Sequence, residues 1–188
     1  MKNLILKLTV LFFAITLTSF TTQEKKQVDI DQSIIKWVGY KVTGQHEGTI
    51  SLREGTLEFK EEQLIGGNFV IDMTSINTTD LEGDYKNKLD GHLKASDFFG
   101  VKTHQKATLV FTSVTKNETN YSVVGNLTIK GITNKISFDL AVSKNTATTS
   151  FKVDRTKYGI KYGSASFFDD LKDKAIYDEF DLKVTLKF

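Results

Sequence analysis

The final stretch of the chain sets Leu182, Val184, Leu186 and Phe188 against Asp181, Lys183, Thr185 and Lys187. A period of two is the mark of a strand with one buried face. The same pattern recurs through most of the chain. Ile136, Phe138, Leu140 and Val142 oppose Ser137, Asp139 and Ser143, and Tyr121, Val123, Leu127 and Ile129 oppose Ser122, Asn126, Thr128 and Lys130. Leu109 and Phe111 alternate with Thr108 and Thr112, with Val110 breaking the rule. Phe69, Ile71 and Met73 form another set, as do Leu57 with Phe59 and Ile35 with Trp37 and Gly39, although Val38 and Tyr40 make the second face of that last strand apolar too. Turns are expected at Gly66-Gly67, at Lys116 to Asn120, at Gly131 with Asn134, and at Lys144-Asn145.

Eight or nine strands, each apolar on one side, must close or stack to bury that side. A two-sheet sandwich satisfies the alternation as well as a barrel does. The chain contains no proline, so strand edges are managed by charge, bulge or closure, which favours closure. The expectation is an all-β, antiparallel, eight-stranded barrel.

Thr79 to Phe99 stands apart. Leu81, Tyr85, Leu89 and Leu93 recur every fourth residue, the spacing of a helix face. Thr79 and Glu82 have the spacing of a capping box, and Gly91 allows either one helix or two short ones meeting there. The run ends in Phe98-Phe99-Gly100. At least one of those rings is expected to point inward, which makes the segment a helical flap over the barrel mouth.

The 188 residues suggest one domain preceded by a leader. Lys2 and Lys7 precede or flank an apolar stretch, Leu8 to Phe20, that ends among Ser19, Thr21 and Thr22. That is the form of a signal peptide, short for a membrane span; an uncleaved anchor is the alternative. The expected division is 1–22 signal peptide, 23–27 polar linker and 28–188 barrel, in a periplasmic or secreted protein with no stable membrane anchor after cleavage. There is no cysteine, hence no disulfide, thiolate metal site or lipid-modified cysteine. Taking Lys2 and Lys7 from 25 basic residues leaves 23 against 23 acidic ones. That balance exerts no general pull on nucleic acid or on an anionic membrane. The Asn-x-Ser/Thr sequons at Asn77, Asn117 and Asn126 matter only in a glycosylating host.

Parts for chemistry are sparse. His46, His92 and His104 show no ligand spacing, so no metal site is expected. Ser164 and Ser166 lack the nucleophile elbow, and Gly66-Gly67 is not followed by the Lys-Ser/Thr of a phosphate loop. No catalytic residue is assigned. The remaining candidate is the aromatic interior: Trp37, Phe59, Phe69, Phe98, Phe99, Phe111, Phe138 and Phe151 either line an apolar cavity or interdigitate as a solid core. Arg155 shares the parity of Phe151 and Val153. It could meet a polar head group or form a structural ion pair with Asp154 or Asp97.

An ordered series of motifs carries a resemblance. It begins with Ile35-Lys36-Trp37-Val38-Gly39, His46-Glu47-Gly48, Leu64 to Phe69 and Met73-Thr74-Ser75-Ile76, and continues through Lys88 to Phe99. Ala107 to Phe111, Gly125 to Thr133, Asp154-Arg155 and Tyr158-Gly159-Ile160 follow. The runs G-H-L-K-x-x-D-F-F and G-x-L-T-I-K-G-x-T are its most specific parts. Over residues 28 to 188 the chain resembles the YceI-like proteins, a polyisoprenoid-binding, lipocalin-like class. It departs from them just before Ala107, where the family usually has a proline and this chain has Thr103-His104-Gln105-Lys106.

The resemblance implies a lipocalin-like barrel around a long apolar channel. It also implies a periplasmic or secreted, commonly dimeric protein that binds an isoprenoid quinone, polyprenyl chain or related amphiphile without catalysis or cofactor. The channel lining is then expected from Trp37, Phe59, Phe69, Ile71, Met73, Leu89, Phe98, Phe99, Phe111, Leu127, Phe138, Phe151 and Tyr158, with His92 or Arg155 at the head group. Two other readings remain open. One is an enzyme on an apolar substrate with His92 or His46 as acid–base; the other is a stress-response barrel with a filled interior.

Overall fold

A computed structural model describes residues 22–188. The signal peptide expected over 1–22 therefore lies, but for Thr22, outside the described residues. The strands run β1 (Gln23–Gln27), β2 (Asp29–Lys41), β3 (Gly44–Lys60), β4 (Gln63–Thr78), β5 (Lys106–Lys116), β6 (Tyr121–Ile129), β7 (Ile132–Ser143), β8 (Thr146–Asp154) and β9 (Ile176–Lys187). Helix α1 (Gly83–Lys94) lies between β4 and β5. The pairing order β3-β2-β9-β8-β7-β6-β5-β4 returns to β3 through the β3–β4 ladder, which closes an eight-stranded antiparallel barrel. The expected barrel is therefore found, and the sandwich is not. Its tallest stave, β3, has 17 residues, up to roughly 55 Å at ~3.3 Å per residue.

Gln23–Gln27 is not a linker. It pairs with Thr56–Lys60 of β3, and Val28, buried in the core, donates its N–H to the Gly55 carbonyl at 2.9 Å. The reason is an edge left bare: β2 pairs with β3 only from Gly44 to Ile50, so the upper part of β3 offers free backbone groups that β1 takes up. Lys25 meets Glu58 at 2.9 Å on the outer side.

Gly66-Gly67 is not a turn either. Both lie inside β4, and the turn is Glu61-Glu62, each with positive φ, at 50° and 64°. Gly67 is needed in the strand because a Cβ there would stand 2.8 Å from the Phe111 ring. Gly48 serves Trp37 in the same way: a Cβ would overlap the indole and the Asn77 carbonyl. The Trp37 indole N–H donates to the Thr49 carbonyl at 3.2 Å.

The helix forms where expected, as one continuous helix through Gly91, but it is held differently. No capping box exists: Glu82 is the N-cap without a side-chain hydrogen bond, and Thr79 bonds back to Glu47. Tyr85 is 76% exposed. A spacing of four advances about 400°, drifting some 40° per step, so Leu81, Tyr85, Leu89 and Leu93 wind off a single face. The anchor is polar. Asp90 accepts from the Thr78 N–H at 2.8 Å and the Thr78 hydroxyl at 2.7 Å, while Lys86 Nζ reaches Asp90, the Thr78 carbonyl and Asn77 Oδ1.

After the helix, the corner that lacks the family's proline is tied at Gly100. Its carbonyl accepts from the N–H groups of Thr103 and His104 and from the Thr103 hydroxyl, and Met73 N–H donates to the Gln105 carbonyl. These bonds fix the bend that a proline would otherwise restrict.

Candidate ligand-binding site

The inward residues fall into two packed groups with a space between them. At one end, Leu57, Phe59, Leu64, Tyr121 and Val123 plug the barrel, with Phe59 against Phe188 at 5.7 Å between centroids. At the flap end, Met73, Ile76, Phe98, Val101, Ile129 and Tyr158 pack together. The intervening cavity measures about 170 Å³.

Of the residues expected to line it, Trp37, Phe69, Ile71 and Met73 do so from β2 and β4. Phe111, Leu127, Phe138 and Phe151 do so from β5 to β8, and Phe98 and Phe99 reach in from the segment after the helix. Phe138 and Phe151 stack at 4.7 Å with 17° between planes, where β7 and β8 separate beyond Ala141 and Thr148. Three expected residues lie elsewhere. Phe59 belongs to the plug and Tyr158 to the packing at the flap end, while Leu93 and not Leu89 is the helical residue on the wall.

The wall also includes residues beyond the sequence expectation. Ile35 and Ile50, Leu109, Ile129 and Leu140 follow from strand parity, and so do Leu182, Val184 and Leu186 of β9. The alternation marks that β9 face as buried, and nothing in one strand's alternation distinguishes wall from filled core. Ile176, Tyr177 and Phe180 have no such signal, because β9 begins irregularly. Gly39 leaves open space on the wall: a Cβ built there meets no atom within 4 Å.

The two head-group candidates are placed differently from the expectation. Arg155 is 2% exposed and touches the wall, but each of its three nitrogens already donates to a backbone carbonyl. Nε donates to the Tyr177 carbonyl at 3.0 Å, and the two terminal nitrogens to the Ile160 carbonyl at 2.8 Å and the Ile176 carbonyl at 3.0 Å. Its counter-ion is Asp178 at 3.7 Å, rather than Asp154 or Asp97. The guanidinium lies over the Phe98 ring at 5.5 Å. Burial lowers its pKa, partly offset by Asp178 and Asp154. Burial also opposes ionisation of Asp178, but bonds from Ser164 and Ser166 and the charge of Arg155 hold its carboxyl below the ordinary range. Arg155 thus joins the turn after β8 to the start of β9.

His92 stands outside the wall, edge-on to Tyr162 at 4.4 Å and to Phe98 at 5.5 Å, with Asp97 at 3.7 Å. His46 pairs with Asp80 at 2.8 Å at the flap's entry, and His104 sits in the Gly100 corner. None of the three lines the cavity. Burial, with Asp154 nearby, pushes the Tyr158 phenol up to about 12. Its hydroxyl has no hydrogen-bond partner among the described residues. No group of three or more metal-ligating side chains occurs among the described residues, and no helix there is long and apolar enough to cross a membrane.

A family model described as YceI-like domain matches residues 13–188. The chain belongs to the YceI-like family. Among curated relatives of this YceI-like chain, a UPF0312 protein of Staphylococcus aureus is 44% identical over 87 residues, 40% of this chain and 48% of that protein. One from Staphylococcus epidermidis is 34% identical over 132 residues, 62% of this chain and 74% of that protein. The match to the first spans about half of that relative's length.

Solved structures share the YceI-like fold. BcnA of Burkholderia cenocepacia superposes with a TM-score of 0.68 at 22% identity, covering 85% of this chain and 98% of BcnA. A polyisoprenoid binding domain from Saccharophagus degradans gives 0.57 at 14% identity, covering 89% and 97%. The YceI protein of Campylobacter jejuni gives 0.56 at 16%, covering 100% and 98%.

Proposed function

We propose that the barrel binds one long, slender apolar chain in its lumen, without catalysis. The observation that carries this reading is the cavity: its wall is apolar, its depth runs from the flap rings to Phe138 and Leu186, and at Gly39 it is empty of side chain. Each CH₂ placed there gains roughly 0.8 kcal/mol relative to water. Of the polar side chains on the wall, Arg155 and Thr149 are bonded to backbone carbonyls, so binding rests chiefly on the tail. The relative described as a polyisoprenoid binding domain supports an isoprenoid quinone, polyprenyl or fatty-acyl chain as the occupant.

The volume sets a limit. At about 170 Å³ the cavity is close to the ~150 Å³ engineered hole that takes benzene. It seats a single chain segment, and a longer tail enters only as Leu93, Phe98 and Phe99 shift. The position of all three histidines off the wall supports binding over an acid–base enzyme. The basic, apolar start of the chain supports export to the periplasm or outside the cell, with or without pairing of two copies.

Titration with a fluorescent polyene fatty acid tests the reading. One displaceable site per chain, lost on filling the lumen with Gly39→Trp, is the expected result; no saturable binding would refute it.

A further inference from the structure

The lumen wall is irregular on the side of β9. Pairing with β2 steps from Gly39–Phe180 to Lys41–Ile176, so Tyr177, Asp178 and Glu179 bulge out opposite Tyr40. Tyr40, Tyr177 and Glu179 belong to the cavity wall even though Tyr177 is 56% exposed. The lining of the cavity therefore reaches the outer surface here, where the Tyr40 and Tyr177 rings pack together at 6.4 Å between centroids and close the way in.

Beside this bulge, Tyr162, Phe167, Phe168 and Val42 are all exposed. Their segment is firmly built. Ile176 N–H donates to the Gly163 carbonyl at 2.8 Å, and the Ser166 hydroxyl to Asp178 at 2.6 Å. The N–H groups of Phe167 and Phe168 both donate to the carbonyl of Ser164, a fully buried residue. A fixed turn thus presents two adjacent phenylalanines to solvent, and neither belongs to a core cluster. Lys161 Nζ sits 4.4 Å over the Phe167 ring. In this segment and at Lys41, four lysines (Lys41, Lys161, Lys172 and Lys174) stand against Asp169, Asp170, Asp173 and Glu179, while the fifth acidic residue, Asp178, is the counter-ion of Arg155.

We propose that this surface docks on a lipid bilayer, so that a chain passes between membrane and lumen without crossing water. The proposal rests on the lumen holding an apolar chain. A bilayer is the favoured partner because the patch is tied to the β9 bulge, where the lining of an apolar lumen reaches the surface. Phenylalanine, tyrosine and an alkyl-stemmed lysine also suit interfacial depth. The cancelled charges make apolar partitioning, and not attraction to anionic lipid, the driving term.

The test uses residues 22–188, which hold every strand of the closed barrel and exclude the apolar leader. Co-sedimentation with phosphatidylcholine vesicles is compared with Phe167→Ser/Phe168→Ser, at low and high salt. The expected result is salt-insensitive binding of the wild type, weakened roughly tenfold or more in the variant, with equal uptake of the polyene fatty acid in vesicle-free solution. A wild type that stays in the supernatant, or a variant that sediments as well, overturns the proposal. So does a dimer that depends on Phe167 and Phe168 in sedimentation velocity, which would assign the patch to a second copy. If neither protein takes up the fatty acid, the lumen reading itself fails and the proposal fails with it; vesicle binding alone does not rescue either.

Discussion

Gly39 pairs with Phe180 across the β2–β9 ladder, both facing the cavity, and the space a Gly39 side chain would fill is vacant. A side chain at Gly39 therefore starts into open space, and Gly39→Trp should fill the lumen. Replacing a strand glycine adds about 0.5–1 kcal/mol of stability, so the melting temperature should hold or rise. Excluding some four CH₂ groups costs roughly 3 kcal/mol of binding, about a hundredfold. Calorimetric melting and the fatty-acid titration read the two effects on one sample.

Arg155 should act on stability and not on ligand choice. Removing it as Arg155→Met leaves three carbonyls without their donor and Asp178 without its counter-ion, a loss of about 3–5 kcal/mol. The expected fall in melting temperature is around 10 °C. Arg155→Lys should recover little, because an ammonium cannot span three diverging carbonyls. A stable Arg155→Met protein with altered head-group selectivity would contradict this.

The flap should loosen in acid. Burial opposes charge on Asp90, but bonds from Lys86 and Thr78 outweigh it and hold its pKa low. A carboxylate depressed in the folded state contributes stability that is present above the ordinary value near ~4. That contribution is lost as pH falls through the folded value. The hydrogen-exchange protection of the Gly83–Lys94 amides, measured relative to the unfolded-chain rate at each pH, should fall below that range. Asp90→Asn should show the faster exchange already at neutral pH, at a cost of about 1–3 kcal/mol.

Gly48→Ala should be damaging although the change is one methyl group. The added Cβ meets the Asn77 carbonyl and the Trp37 ring, and overpacking of this kind costs roughly 1–3 kcal/mol. Tryptophan emission should shift as the indole moves, because Trp37 is the chain's single tryptophan. Unchanged emission and unchanged urea midpoint would show the contact to be relaxed.

The barrel was legible because its signal is local. Phe69, Ile71 and Met73, or Leu182, Val184 and Leu186, state their inward face by parity alone, and all six line the cavity. The errors lie where a position depends on something distant. Gln23–Gln27 reads as linker because only the bare upper edge of β3 makes it a strand. Gly66-Gly67 reads as a turn because the Phe111 ring that requires Gly67 comes from β5. Arg155 has inward parity, as expected, but two of the three carbonyls that occupy it, those of Ile176 and Tyr177, lie at the β9 bulge, which leaves no periodic trace. The helix was found by its apolar spacing and is held by Lys86 and Asp90, which that spacing ignores.

The central claim is that the lumen holds a long apolar chain. Mass spectrometry of an organic extract of the purified protein, set beside a Gly39→Trp extract, tests it most directly. The account predicts one long-chain species near one per chain in the wild type and none in the folded variant. A wild-type extract that is empty, and stays empty after incubation with total membrane lipid, would contradict it.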